Sequence, residues 1–424
     1  MKKVAFHTLG CKVNAYDSAA MLALFLQSGY EEVPFEEPAD IAVINTCTVT
    51  AVADKKSRAM IRRAARTAKV IVAGCLAQKS AAELLAMDGV DAVIGTDERS
   101  HIVDVAERLL LGEEKIDATK DLKGCGFEAM HIGGAGPRTR GVIKIQEGCD
   151  NFCSYCIIPY VRGRSRSRTL SDVYTEAKAL AESGVKELVL TGIHIASYDD
   201  AGKDLADAIV ELDSLDVRVR LGSLEPGKFA RDFIERISSA KNLCPHFHIS
   251  LQSGSDTVLR RMNRHYTAGE YLDFLRLLRS HFDTPGITTD VIAGFPGETE
   301  EEHRETIEFV RACGFSRLHV FPFSARKGTK AYDMTPKVDK TTARRRAAEL
   351  ITLGEELEDV YIASLLGRDD EVLFEEISTA FPDCLEGYSR RYVRVAAQAQ
   401  HNEIKTVSLT RAKGKVIYGE VKEN

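Results

Sequence analysis

The chain has 424 residues, 44% of them hydrophobic and 28% charged, with a formal net charge of −6; at about 100–200 residues per domain this is two to four globular domains. No run of about 18 uncharged apolar residues occurs, which excludes a helical membrane span, and the start MKKVAFHTLG turns polar too soon for a signal peptide. The negative net charge excludes a uniformly basic nucleic-acid coat but leaves room for local basic faces. The expected location is the cytoplasm, where thiols stay reduced. Ten cysteines there fit metal ligands, catalytic groups or small buried residues better than a disulfide framework.

Residues 1–115 alternate apolar strands with helical stretches. Strands are expected at Lys3–His7, Asp40–Asn45, Val70–Ala73 and Ala92–Ile94. Helices are expected at Asp17–Gln27, Val52–Ala68, Ala81–Met87 and His101–Leu111. Such alternation predicts a parallel, doubly wound sheet. Cys11, Cys47 and Cys75 each follow one of these strands. In a parallel sheet they meet on the carboxyl edge, where open α/β sheets place ligands. Three small buried cysteines are the plain alternative. Three thiolates suit an iron–sulfur cluster with one iron left open, or zinc with a fourth ligand.

Residues 137–362 open with a strand, Arg140–Gln146, followed by Cys149-Asp150-Asn151-Phe152-Cys153-Ser154-Tyr155-Cys156. The C-x3-C-x2-C spacing lets one loop wrap one metal centre. Zinc would need a fourth ligand, and no nearby Cys or His supplies it. Further strands are expected at Glu187–Thr191, Val217–Leu221, His246–Leu251, Thr288–Ala293 and Arg317–Phe321. Six parallel strands with helices between them predict a partial (β/α)6 barrel, with its site at the carboxyl ends. The polar residues expected there are Thr191, Gly192, Ser223, Glu225, Gln252 and Asp290; singly, each also suits a cap or turn.

Residues 365–424 change to short β-like runs at Glu371–Glu375, Arg391–Ala397, Lys405–Thr410 and Lys415–Val421. They predict a small five-stranded antiparallel barrel, a shape that often binds nucleic acid. Arg390, Arg391 and Arg394 interleave with Tyr388 and Tyr392, as on a phosphate- and base-binding face; a solvated edge strand is the alternative. Basic residues also crowd Lys55–Lys69, and Arg162, Arg164, Arg166 and Arg168 alternate after the cysteine loop. Two such runs beside cysteine sites predict a surface that guides a phosphate backbone.

LGCKVNAYDS, INTCTVT, VAGC, EGCDNFCSYCIIPYVRGRSRSR, LTGIHIASY, HISLQSGSDTVLRRMNR, DVIAGFPGETEE and HVFPFSARKGT follow one another along the chain. Together they resemble the radical S-adenosylmethionine (SAM) methylthiotransferases over nearly the whole length. The resemblance implies an N-terminal methylthiotransferase domain, a central radical SAM domain and a C-terminal TRAM barrel. It implies that Cys149, Cys153 and Cys156 hold a [4Fe–4S] cluster whose open iron is chelated by S-adenosyl-L-methionine, with Tyr155 beside the third cysteine. Thr191, Gly192, Ser223, Glu225, Gln252 and Asp290 are the candidates for the SAM pocket. Cys11, Cys47 and Cys75 are implied to hold a second [4Fe–4S] cluster, the seat of the inserted sulfur. An electron donor of the flavodoxin or ferredoxin type and a sulfur donor are implied as partners. A 5′-deoxyadenosyl radical would take hydrogen from C2 of an adenine, a C–H bond that acid–base chemistry does not reach, and a second SAM would supply the methyl group. The turn Gly10-Cys11-Lys12-Val13-Asn14 and Asn45-Thr46-Cys47-Thr48 look like the branch that acts on N6-threonylcarbamoyladenosine beside the anticodon, with the tRNA anticodon stem-loop as partner. The other branches act on isopentenyladenosine in tRNA or on a ribosomal-protein aspartate, and an RNA-binding protein with structural zinc is the non-enzymatic rival. Cys125, Cys244, Cys313 and Cys384 are expected to be buried or incidental.

Overall fold

The computed structural model describes residues 1–133, 139–227 and 231–422. The expected start of the central domain, residue 137, and the last two residues of the tail lie outside them. The N-terminal part runs β1 (Lys3–Thr8), α1 (Lys12–Gln27), β2 (Glu31–Glu32), β3 (Ile41–Thr46), α2 (Ala51–Ala64), β4 (Lys69–Gly74), α3 (Cys75–Leu85), β5 (Ala92–Ile94), α4 (Ile102–Leu110) and β6 (Ile116–Ala118). Its sheet is parallel throughout, in the order β2-β1-β3-β4-β5-β6. Val and Ile on both faces of β3 and β4 bury those strands from both sides, as a covered parallel sheet requires. Phe25, Val105 and Leu109 cover one face, and Ile61, Leu76 and Leu84 the other. Two helices start earlier than their apolar spacing predicts. Helix α1 begins at Lys12 with Cys11 as its N-cap, and α3 begins at Cys75 itself, with a kink at Ser80 that divides it into two helical halves.

The central part runs β7 (Arg140–Glu147), α5 (Ile158–Arg162), β8 (Arg166–Ser167), α6 (Leu170–Glu182), β9 (Glu187–Gly192), β10 (Asp199–Asp200), β11 (Lys203–Asp204), α7 (Leu205–Leu212), β12 (Arg218–Leu221), β13 (Ser223–Leu224), α8 (Arg231–Ser238), β14 (His246–Ile249), α9 (Asp256–Arg261), α10 (Ala268–His281), β15 (Gly286–Ala293), α11 (Glu300–Cys313), β16 (Arg317–Pro322), α12 (Lys330–Asp333) and α13 (Lys340–Leu365). All six expected strands are present. They form two arcs, β12-β9-β7-β8 and β13-β14-β15-β16, joined by a bridge from Val219 to Leu243. Every pairing in the arcs is parallel except that of the short β8. The result is a partial barrel. Gly141 faces Leu180 and Val185, and Leu318 packs under Gly354 of α13, so these residues point outward to the helices. By strand alternation Arg140, Lys144, Arg317 and His319 point into the bore.

The tail runs β17 (Asp369–Ile377), β18 (Leu385–Ser389), β19 (Arg394–Ala397), β20 (Ile404–Lys413) and β21 (Val416–Val421), closed in the order β17-β18-β19-β21-β20. It is antiparallel except where β19 meets β21. Strand β18 escaped the sequence pattern because its Gly387 lies flat on Leu373, whose carbonyl would stand 1.8 Å from an added Cβ.

The basic and aromatic residues expected to face RNA here do something else. Tyr392 stacks on His246 at 4.5 Å and on Tyr388 at 4.6 Å, with the Arg220 guanidinium 4.7 Å from its ring. Arg390 donates to the carbonyls of Lys241 and Leu243, and Arg391 to that of Thr284. Arg218 pairs with Glu371 at 3.0 Å, and Arg140 with Glu375. The small barrel is thus seated on the amino ends of the central strands and floors the bore. Tyr392→Ala should weaken this seat by about 2 kcal/mol, from lost stacking and cation–π contact. The check is trypsin cleavage after Arg368, which should quicken while the circular dichroism of the rest holds.

Candidate active site: two cysteine trios at one bore

Strands β1, β3 and β4 are neighbours, and their carboxyl ends carry Cys11, Cys47 and Cys75. Gly10, at φ +107°, lets the first turn close: a Cβ there would meet Cys47 Cβ at 2.8 Å and Sγ at 3.1 Å. Asn14 ties the turns by donating to the carbonyls of Leu9 (2.7 Å) and Thr46 (2.9 Å). The cysteine loop after β7 is set the same way. Gly148, at φ +71°, lies on Arg164, whose carbonyl oxygen would be 1.9 Å from an added Cβ. Asn263 donates to the carbonyls of Asn151 and Phe152, and Arg264 Nη1 donates to Cys153 Sγ at 3.2 Å.

Cys149, Cys153 and Cys156 open on a cleft of about 150 Å³ that is lined also by Tyr155, Ser223, Glu225 and Gln252. Tyr155 and three of the six SAM-pocket candidates, Ser223, Glu225 and Gln252, are therefore brought to the cysteines. Thr191, Gly192 and Asp290 are outside this lining: Thr191 is buried, Gly192 lies on the backbone of Gln146, and Asp290 sits lower in the bore, paired with His248 at 3.2 Å. Sequence reasoning missed Asn151 and Arg264. Asn151 donates to Glu225 at 2.6 Å, and Arg264 approaches the same carboxylate at 3.4 Å. Arg264 lies in the LRRMNR stretch after α9, with no local sign that it reaches a cysteine.

The two trios are neighbours. Cys75 packs against Ile157 and Val161, on the segment that leaves Cys156. Arg162 closes the junction, and it is fully buried. Its Nε donates to Cys75 Sγ at 3.2 Å, its Nη1 to both oxygens of Glu147 at 2.9 and 3.0 Å, and its Nη2 to Asn14. Lys144 donates to Asp17 at 2.6 Å, and Arg99 pairs with Asp17 and with Glu128. Burial alone would raise the carboxyls of Asp17 and Glu147; the surrounding Arg99, Lys144 and Arg162 outweigh it and hold both below the usual range. On the far side Arg326 donates to Thr48 (2.6 Å) and Asp54 (2.7 Å). The expected guiding face of alternating arginines is thereby corrected. Arg162 and Arg168 are buried in ion pairs, the latter with Asp172 and Glu176, while Arg164 stays exposed over the Phe152 ring.

Burial pushes the Cys75 and Cys149 thiols up to about 11 and Cys156 to about 12. Such thiols release their protons when a metal draws them off. Among the described residues no three His, Cys, Asp or Glu side chains are closed up tightly enough for one metal ion. All-sulfur trios with positive charge beside them fit an anionic cluster. The other four cysteines are free and apart from both trios; Cys244 and Cys313 are buried in the central part and Cys384 in the small barrel. No helix among the described residues is long and apolar enough to cross a membrane.

A cysteine loop at the mouth of a partial (β/α) barrel, with a cleft beside it, defines a radical SAM protein. Residues 143–310 match the Radical SAM superfamily, and residues 3–95 match the uncharacterized protein family UPF0004. The radical SAM methyltransferase TsrM from Kitasatospora setae, with cobalamin and a [4Fe-4S] cluster bound, shares the fold at a TM-score of 0.60, over 78% of this chain and 74% of that one, with 15% identity. Threonylcarbamoyladenosine tRNA methylthiotransferase MtaB of Bacillus subtilis (strain 168) is 41% identical over 95% of this chain and 92% of its own length. A tRNA-2-methylthio-N(6)-dimethylallyladenosine synthase of Natranaerobius thermophilus is 31% identical over 100% and 97%. The chain belongs to the radical SAM methylthiotransferases.

Asp17→Ala would leave the buried Arg99, Lys144 and Arg162 with Glu147 as the one carboxylate they share, at a cost of about 3–5 kcal/mol. Because the folded pKa of Asp17 lies below its unfolded one, its contribution is complete above about pH 4. It is lost as the pH falls from there toward the folded value. Urea unfolding should therefore find Asp17→Ala weaker at pH 7 and flatter than the parent on the acid side.

Proposed function

We propose that this enzyme inserts a methylthio group at C2 of N6-threonylcarbamoyladenosine next to the anticodon of tRNA. The single observation that carries this is the junction of the two cysteine trios at Arg162, at the mouth of one bore. The relatives named for the threonylcarbamoyl substrate support the choice of base. One of them, from Aquifex aeolicus, is 37% identical over 88% of this chain.

In this reading Cys149, Cys153 and Cys156 hold one [4Fe–4S] cluster, and SAM lies in the cleft among Tyr155, Ser223, Glu225 and Gln252. Cys11, Cys47 and Cys75 hold the second cluster. The bound groups supply the radical that removes hydrogen from C2 and the sulfur that replaces it, with a second SAM as methyl donor. The residues of the chain bind and orient. Arg162 faces Cys75 from one side and Glu147 from the other, so it sets a fixed positive charge beside a ligated Cys75. Arg264 does the same for Cys153. The target base must leave its stack, at about a few kcal/mol and less in a loop. Exposed Tyr160 and Arg164, with the half-buried ring of Phe152 between them, stand at the cysteine loop to receive it.

Residues 1–115, 137–362 and 365–424 act as the sulfur-carrying, radical-generating and TRAM modules. The RNA face of the last is the patch of Arg411 over Tyr418 with Lys413 over Phe381. A flavodoxin or ferredoxin-type protein supplies the electron, a separate donor restores the sulfur, and the enzyme works in the cytoplasm.

Anaerobic reconstitution should give about eight irons per chain and about four in the Cys149/Cys153/Cys156→Ala variant. With SAM and a reductant, the parent should convert threonylcarbamoyladenosine in tRNA to its 2-methylthio form, measured by nucleoside mass spectrometry. Zinc in place of iron, or product only from dimethylallyladenosine, would overturn the reading.

A further inference from the structure

Below the SAM cleft the bore is polar. Phe247, Ile249, Ile287 and Val291 face the outer helices, so alternation turns His248, Thr288 and Asp290 inward. Register carries the same face across to β16: Thr288 lies opposite Arg317, and Asp290 opposite His319. His248 is fixed by Thr288 at 2.9 Å and Asp290 at 3.2 Å, with the His319 ring 5.8 Å away. From the other wall α1 lies on β7 and β9, where Lys144 meets Asp17. Its first residue, Lys12, lies within electrostatic reach of Arg140, Arg220, Glu187, His246 and His319.

The charges do not balance. Arg220 is held by Glu187 at 2.7 and 2.8 Å, and Arg140 by Glu375 and Glu187. Asp290 is held by His248. Lys12 and Arg317 have neither a hydrogen bond nor an ion pair among the described residues, and both are solvent-exposed. Two unpartnered cations that face two histidines, closed below by Tyr392, make a site for a small anion. The site is one step from the cleft, since the Gln252 amide donates to the Asp290 carbonyl at 2.8 Å. A base held at the cleft would reach it with a substituent, whereas the tRNA backbone would stay at the mouth.

We propose that Lys12 and Arg317, beside His319, bind the carboxylate of the threonyl group on the substrate base and set the preference for it, while His248 is spent holding Asp290 away from it. This rests on the substrate reading above and deepens it. An apolar dimethylallyl group would leave both cations without a partner, which is how a polar site rejects an analogue that lacks the matching group.

The test uses the iron-reconstituted full chain and anticodon stem-loops that carry threonylcarbamoyladenosine, its threonine carboxamide counterpart, or dimethylallyladenosine. Fluorescence anisotropy without reductant measures binding; steady-state kinetics measure kcat and KM. The parent should bind the carboxylate about tenfold or more tighter than the carboxamide, as a charge-assisted contact provides. Lys12→Met and Arg317→Met should each bring the two closer by raising KM for the carboxylate only, and Lys12→Arg should keep the preference. Iron content is measured on each variant, and Arg317 lies away from both trios, so a loss there is not a cluster defect. A parent that modifies the threonylcarbamoyl base yet binds acid and amide alike, or variants that keep the full preference with iron intact, would overturn this inference alone. A parent that modifies only the dimethylallyl base would instead overturn the substrate reading.

Discussion

Five buried charges hold this enzyme together at its centre: Asp17 and Glu147 against Arg99, Lys144 and Arg162. They come from α1, the segment before α4, β7 and α5, so two sheets with separate cores share one electrostatic junction. A buried charge that loses its partner costs far more than the pair contributes. The junction is therefore weak evidence for stability but strong evidence for geometry: the two parts cannot slide without stranding a charge. What it fixes is the position of Cys75 relative to the loop that begins at Cys149.

That constraint explains why the barrel is left open. A closed barrel would have no side through which a second cysteine site could approach. Here α1 occupies the inner side of β7 and β9, and its N-cap is a cysteine of the first trio. The small barrel closes the opposite end. Its Tyr392 stacks under His246, and its arginines are used in the seat. The bore thus has a cysteine-lined mouth, a cationic middle and an aromatic floor, each contributed by a different part of the chain.

The strands were legible because Val and Ile runs such as Val70–Val72 are buried on both faces, and the cysteine loop was legible because its spacing is local. Helix α1 was read five residues too short because its buried face includes Asn14, Asp17 and Ser18, polar residues that break an apolar pattern. The alternating arginines misled for the same reason. Arg162 and Arg168 look like a solvated run, but the carboxylates that bury them, Glu147 and Glu176, come from other elements. A sequence shows charge; only the fold shows its partner. Arg264 on Cys153, and Lys12 and Arg317 without a partner among the described residues, belong to the same class of facts.

The claim on which the account turns is that the base of the substrate enters this bore beside the SAM cleft. The direct measurement uses a threonylcarbamoyladenosine stem-loop carrying deuterium at C2, incubated with the reconstituted enzyme, SAM and a reductant. The account predicts deuterium in the 5′-deoxyadenosine that is released and its loss from the 2-methylthio product. 5′-Deoxyadenosine that forms at the same rate but stays unlabelled, with C2 deuterium retained in the RNA, would contradict it.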